Sequence, residues 1–315
     1  MNIVAADWLP YALPFKRPWQ TSRGVLHSRH GRLLRLRTAD GRTGWGDCAP
    51  LPEFGIDAAA TTTFAEECAY LDLAAQAAGL PLNAWLSGEA PVRTLAVNTV
   101  LGPIFSLTPE SFTDNFSVFK LKVGSADSTA EIAHLQRLCR NLPGHVRLRL
   151  DANAAWNYNT AREFLAACRD LPVEGLEEPL RAPDSAGLRQ LQSALPFPLA
   201  IDESIHLLDA AFFAEPPVRR LVIKPARQGG LLASLEMALR ARAAGVEVVV
   251  TSALESACGL LACTHLAAAI APAGIHGLAT ADWLAEDCGQ PVCVNQACLS
   301  LPEIPGLGFA GYQAG

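Results

Sequence analysis

Two hydrophobic rhythms divide this chain. Near the start, apolar and polar residues alternate through Arg32-Leu33-Leu34-Arg35-Leu36-Arg37-Thr38, the period of a strand with one solvated face. Ala39-Asp40-Gly41-Arg42 supplies turn residues before Thr43-Gly44-Trp45-Gly46-Asp47, so a hairpin is predicted there. Residues 61–78 turn alanine-rich and helical, and the Gly and Pro residues at 88–91 mark a domain boundary. Beyond that point strand and helix alternate. Strands are predicted at 94–101, 118–123, 146–151, 175–178, 199–202, 220–224 and 247–251, with a short one near Gly277. Helices such as 128–140, 159–169 and 231–244 fall between them. Near-continuous apolar strands such as Val246-Glu247-Val248-Val249-Val250 fit a parallel sheet buried on both faces. The expected fold class is α/β: a closed barrel of eight strands with intervening helices, preceded by an α+β region.

Five of these strands end in charge. Lys122, Asp151, Glu177, Asp202 and Lys224 follow one another at intervals of 29, 26, 25 and 22 residues, each about one βα unit. In a (β/α) barrel such residues converge on the mouth where active sites are built. An open, doubly wound sheet does not explain why consecutive strands end this way. Three carboxylates from adjacent strands repel unless a cation neutralises them, and an all-oxygen donor set selects Mg²⁺ or Mn²⁺ over zinc. Strand alternation sends Glu177 and Glu178 to opposite faces, and likewise Asp202 and Glu203, so only one of each pair can be a direct ligand. Asn153 shares the face of Asp151 and is a candidate for holding ligand or substrate, while Lys120 shares the face of Lys122. A lysine serves as a base only if its pKa falls from about 10.4 toward neutrality, which a neighbouring ammonium and a divalent cation both favour.

Composition narrows the partners. The chain has 315 residues, half of them hydrophobic and 18% charged, which suits a large buried core. A net charge of −6 offers no electrostatic reason to expect nucleic acid or an acidic membrane surface. The nine cysteines are odd in number and irregular in spacing. Cys48, Cys68, Cys139, Cys168, Cys258 and Cys263 lie in apolar or helical stretches, where a reduced thiol acts as a small hydrophobe. With no basic n-region at Met1–Asp7 and with the apolar run 246–273 broken by Glu247, Glu255 and His265, a soluble protein of the reducing cytoplasm is expected. Three further signals lead nowhere. The GxGxxG at 306–311 has no room for a following helix. The Asn115-Phe116-Ser117 sequon matters only on secretion. Cys288, Cys293 and Cys298 lack a zinc spacing.

The succession FKLKVG (119–124), RLDANAAW (149–156), LEEPL (176–180), IDES (201–204) and VIKPARQGG (222–230) resembles the enolase superfamily, within its muconate-lactonising subgroup. The resemblance implies a (β/α)₇β barrel with an α+β capping domain formed by the N-terminal part and the C-terminal tail. The expected boundaries are 1–93 for the cap, 94–284 for the barrel and 285–315 for a segment returning to the cap. It implies metal ligands at Asp151, Glu177 and Asp202, acid/base lysines at Lys122 and Lys224, an auxiliary Lys120, and a Mg²⁺-stabilised enediolate. GWGDCAPLPEFG (44–55), TSALESACGL (251–260) and HGLATADWLAEDC (276–288) are similar to the o-succinylbenzoate synthases, hydro-lyases acting on a small carboxylate substrate. An Asp-x-Asp that a dipeptide epimerase would carry at the last strands is replaced by Ser252-Ala253-Leu254-Glu255-Ser256, of which Ser252, Glu255 and Ser256 are substrate-binding candidates. A polar strand-to-helix cap is the alternative role for these three, and the loop at 21–24 is a candidate lid, with a plain surface loop as its alternative. The alternatives are a racemase, epimerase or cycloisomerase of the same superfamily, a Schiff-base aldolase using a lysine nucleophile, or a non-catalytic barrel.

Overall fold

The computed structural model describes residues 1–21, 24–113 and 115–312. In chain order the main elements are β1 (Ile3–Thr21), β2 (Gly24–Thr38), β3 (Thr43–Cys48), α1 (Ala58–Ala78), α2 (Leu82–Ser87), β4 (Thr94–Ala96), β5 (Thr99–Pro103) and β6 (Val118–Lys122). There follow α3 (Ser128–Cys139), β7 (Arg147–Asp151), α4 (Tyr158–Cys168), β8 (Val173–Glu177), α5 (Ser185–Ser193), β9 (Leu199–Ile201) and α6 (Ala210–Ala214). The chain continues through β10 (Arg220–Ile223), α7 (Pro225–Gln228), α8 (Leu231–Ala243), β11 (Glu247–Val250) and α9 (Ala257–Ile270) to β12 (Val294–Asn295) and β13 (Cys298–Ser300). They fall into two compact units, one of residues 1–96, 223–238 and 250–315, the other of 97–222 and 239–249.

In the first unit β1, β2 and β3 form an antiparallel sheet. The β2–β3 turn falls at the predicted residues, since Thr43 pairs with Arg37 across it. Helix α1 starts where Asp57 accepts the Ala60 N–H at 2.8 Å, and it ends at Gly79 in the left-handed conformation. The apolar side chains of Leu34, Leu36 and Cys48 meet Ala65, Ala69 and Leu73 in a buried cluster. The helix approaches β3 so closely that a Cβ on Gly46 would overlap the Ala65 carbonyl. Helix α9 is apolar and buried on nearly all sides. Its His265 accepts the Asn83 N–H at Nδ1 (3.1 Å) and donates from Nε2 to the Leu307 carbonyl (3.1 Å). In the tail, β12 and β13 form a hairpin, and β13 pairs with β4.

The second unit carries most of a seven-stranded parallel sheet in the order β11-β10-β9-β8-β7-β6-β5. Helices α3, α4, α5 and α6 are each capped by an aspartate or asparagine at the preceding residue: Asp127, Asn157, Asp184 and Asp209. The expected strand at 94–101 is two strands, because β4 pairs with β13 whereas β5 pairs with β6. Within the first unit, the short strand near Gly277 has its ladder partners: Gly277 N–H donates to the Val250 carbonyl, Ser252 N–H to Gly277, and His276 N–H to Ala96. This is a (β/α)₇β barrel with additional antiparallel sheets. Among the described residues, no helix is long and apolar enough to cross a membrane. All nine cysteines are free thiols, six of them buried.

Candidate active site

In the second unit, parallel pairing sets Lys122 opposite Asp151 and Asp151 opposite Glu177, with Ala200, two residues before Asp202, opposite Glu177. The carboxylates Asp151, Glu177 and Asp202 are 1, 2 and 1% exposed. The ammonium of Lys120 stands between the first two, 2.9 Å from Asp151 Oδ2 and 2.9 and 2.8 Å from the two Glu177 oxygens. Lys122 reaches the same Asp151 oxygen at 2.6 Å and Asn153 Oδ1 at 2.6 Å. Asn153 donates in turn to Glu203 Oε1 at 2.9 Å.

Burial disfavours the Lys120 charge, but the pull of Asp151, Glu177 and Asp202 outweighs it and holds the ammonium well above the usual lysine value. Burial pushes Asp151 upward, and Lys120 and Lys122 override that push to hold it below the usual carboxylate range. The strand ends are strained where this cluster forms, with Asn153, Ala154 and Glu178 all at positive φ.

The paired acids separate as alternation requires. Glu178 turns away from Lys120 and accepts the backbone N–H groups of Asp202 (2.9 Å) and Ser204 (3.2 Å), together with the Ser204 hydroxyl. Burial raises its pKa despite these bonds. Glu178 therefore shapes the turn that presents Asp202, and Glu203 holds Asn153; sequence reasoning assigned neither role. The signal was present in the doubled acids of LEEPL and IDES, yet only the backbone path shows what the second acid grips. Two residues below Asp151 on the same face, Arg149 donates to Asn98 Oδ1 at 3.0 Å and pairs with Glu174. Glu174 also meets Arg220, which reaches Glu247 at 2.9 Å. The barrel floor here is an ionic layer rather than an aliphatic one.

Three buried carboxylates offer hard oxygen donors of the kind a divalent cation takes, and the Lys120 ammonium neutralises two of them here. As the side chains stand, Asp151 and Glu177 close on Lys120. Among the described residues, no group of three or more His, Cys, Asp or Glu is gathered around one point.

The remaining predicted residues lie in the first unit. Lys224 directly follows β10 and is the N-cap of α7, its carbonyl accepting the Arg227 and Gln228 N–H groups. Ser252 donates to Glu255 Oε2 at 2.6 Å and accepts from the Leu254 N–H and the Thr280 hydroxyl. Glu255 is fully buried, and burial raises its pKa. Ser256 spends both its N–H and its hydroxyl on Asp47 at 2.8 Å. Of the candidate lid, Ser22 and Arg23 lie outside the described residues; Thr21 and Gly24 pair as the ends of β1 and β2.

Residues 110–311, more than half of the chain, match the family model described as "Enolase C-terminal domain-like". The o-succinylbenzoate synthase of Enterobacter sp. (strain 638) is 30% identical over 81% of this chain and 84% of its own. The chain belongs to the enolase superfamily. It is thus a member of an enzyme family, and the relatives of this enolase-superfamily chain differ in reaction. The L-Ala-D/L-Glu epimerase of Bacillus subtilis is 25% identical over 99% of this chain and 97% of its own. Its substrate-liganded structure superposes with a TM-score of 0.88 at 24% identity over the whole of both chains. A dipeptide epimerase from Methylococcus capsulatus, complexed with Mg and dipeptide L-Arg-D-Lys, superposes with a TM-score of 0.84 at 26% identity, over 98% of this chain and 99% of that one.

Proposed function

We propose that this enzyme is an o-succinylbenzoate synthase, dehydrating 2-succinyl-6-hydroxy-2,4-cyclohexadiene-1-carboxylate to o-succinylbenzoate. The observation that carries the reading is the 30% identity to a synthase over four-fifths of both chains. The Ser252–Ser256 segment, where no Asp-x-Asp stands to hold a substrate ammonium, supports it.

Asp151, Glu177 and Asp202 would hold Mg²⁺, with Mn²⁺ as the substitute. A divalent ion bound there supplies charge that fixes the substrate carboxylate and stabilises the enediolate formed when the adjacent carbon loses its proton. Lys122 takes that proton. The same nitrogen, now an ammonium, returns it to the departing hydroxide, so that water leaves and the ring becomes aromatic. Lys120 shares the Asp151 carboxylate oxygen with Lys122 and so places a second ammonium beside the reacting nitrogen. Lys224 supplies the second cation, acting on the developing negative charge over the ring. Asn153 orients Lys122, and Ser252 and Glu255 take the succinyl end, with Ser256 anchoring their loop. A small carboxylate is the partner, and the cytoplasm is the compartment.

Purified protein with Mg²⁺ and the cyclohexadiene substrate should give aromatic product by absorbance. Lys122→Ala and Lys224→Ala should each lower kcat by about 10²–10⁴-fold. The full-length likeness to the Bacillus subtilis epimerase favours a second reading, racemase or epimerase. No aromatic product, together with solvent deuterium entering recovered N-acylamino acid or dipeptide, would replace the first reading with the second.

A further inference from the structure

The three strands of the antiparallel sheet in the first unit bury polar side chains that the chemistry above leaves unused, and one from each strand bears on a single loop. These are Tyr11 of β1, Arg29 of β2 and Asp47 of β3, which are 6, 2 and 0% exposed. Arg29 spends its guanidinium on backbone carbonyls. Nε donates to Leu254 at 3.1 Å, Nη1 to Pro50 at 2.6 Å and His30 at 3.2 Å, and Nη2 to Ala49. Asp47 holds the other end of the same loop through the Ser256 N–H and hydroxyl, and the Tyr11 hydroxyl donates to its second oxygen at 2.8 Å. Burying a guanidinium is costly unless its donors are satisfied, and here a planar fork spans carbonyls from three separate stretches of chain.

The loop so gripped is strained. Leu254 has φ +61°, in the left-handed region that a branched side chain seldom enters. Inside it, Ala253 N–H and the Ser252 hydroxyl both donate to Glu255 Oε2, and Leu254 N–H donates to Ser252. Glu255 Oε1 and Thr251 Oγ1 are left buried without a hydrogen-bond partner among the described residues. Local bonds alone leave the Leu254 carbonyl without a donor; Arg29 provides it.

We propose that Arg29 is a positioning residue whose guanidinium holds Leu254 in its left-handed conformation and thereby sets where Ser252 and Glu255 stand for substrate. The proposal rests on the reading that those two residues meet the substrate. Asp47, backed by Tyr11, is the second anchor of the same clamp. Lysine cannot replace Arg29 fully, because one ammonium does not span Leu254, Pro50 and Ala49 together.

The test uses Arg29→Gln and Arg29→Lys, read by hydrogen exchange of the free protein and by steady-state kinetics on whichever substrate the wild type turns over. In Arg29→Gln, exchange protection of the amides from Leu254 to Ala257 should fall at least about tenfold, with the β6–β9 amides unchanged. KM should rise about tenfold or more while kcat changes less than about threefold, and Arg29→Lys should fall between wild type and Arg29→Gln. If Arg29→Gln does not fold, Arg29→Lys is read by the same criteria. Unchanged protection in the loop overturns the clamp. Lost protection with an unmoved KM, while Ser252→Ala raises KM, overturns the positioning role and leaves the substrate reading standing. If Ser252→Ala, Glu255→Gln and the Arg29 variant all leave KM unmoved, the substrate reading fails and takes the proposal with it.

Discussion

Replacing Lys120 by methionine removes one charge and little volume from the most buried ionic contact in the second unit. The ammonium is within 2.9 Å of Asp151 and of both Glu177 oxygens, and the two carboxylates are 1 and 2% exposed. Breaking a buried pair by removing one partner costs about 3–5 kcal/mol, because the surviving charge stays desolvated. Two carboxylates survive here, and Lys122 still compensates one of them at 2.6 Å, which places the cost near the middle of that range, about 4 kcal/mol. At roughly 2–4 °C per kcal/mol, the EDTA-treated variant should melt roughly 8–16 °C below wild type. A divalent ion binding the same carboxylates restores their compensation. Mg²⁺ at about 100 times its Kd adds about 2.7 kcal/mol to any folded state that binds it. The variant should therefore recover more of its melting temperature on Mg²⁺ addition than wild type gains, since wild type must first give up the contacts of Lys120. The assay is thermal unfolding followed by circular dichroism, with EDTA and then with a Mg²⁺ titration. A variant that melts within about 2 °C of wild type in EDTA would refute the cost assigned to this buried contact, and Mg²⁺ that shifts neither protein would refute the proposal that these carboxylates hold a cation.

Three other outcomes follow from the same structure. Glu178→Gln weakens the grip on the Asp202 and Ser204 amides and should reduce Mg²⁺ affinity about 10–100-fold, measured by calorimetric titration, with the fold retained by circular dichroism. Gly46→Ala forces a methyl group into the Ala65 carbonyl and should cost about 1–3 kcal/mol or more in denaturant unfolding, whereas Gly144→Ala, with open space around its Cβ and a backbone outside the left-handed region, should cost less. Burial depresses His265 to about 4, below its ordinary value, so the unfolded chain binds the extra proton first as pH falls. Stability from this group is complete above pH ~6.5 and is lost as pH falls toward 4, by roughly 2–4 kcal/mol; His265→Asn should flatten that slope in unfolding curves taken between pH 7 and 4.

Much of the scaffold was legible in the chain alone because strand and helix periods are local properties. The interval between successive βα units depends only on element length, so charges at 29, 26, 25 and 22 residues land on successive strand ends. Alternation placed Lys120 beside Lys122 and sent Glu177 and Glu178 apart, and both hold in the structure. Strand 94–101 misled because pairing partners decide where one strand ends. Thr94–Ala96 meets the C-terminal hairpin while Thr99–Pro103 meets β6, and no local pattern encodes that change of sheet. The grip of Glu178 on the Asp202 turn, the bond from Asn153 to Glu203 and the ionic floor of Arg149, Glu174 and Arg220 were likewise out of reach. Each joins residues from different strands through backbone curvature.

Arg29 shows the division most plainly. In the sequence it is one arginine in a polar run between two histidines, and exposure is the natural expectation for such a stretch. The fold buries it against carbonyls 20 or more residues away and ties it to Leu254, 225 residues distant. Periodicity determined the barrel and the order of its charges, because those follow from bonds made along the chain. Which charge faces which, and which loop is held in strain, was decided by tertiary packing, where burial makes an unpaired polar group too costly to leave and so selects its partner.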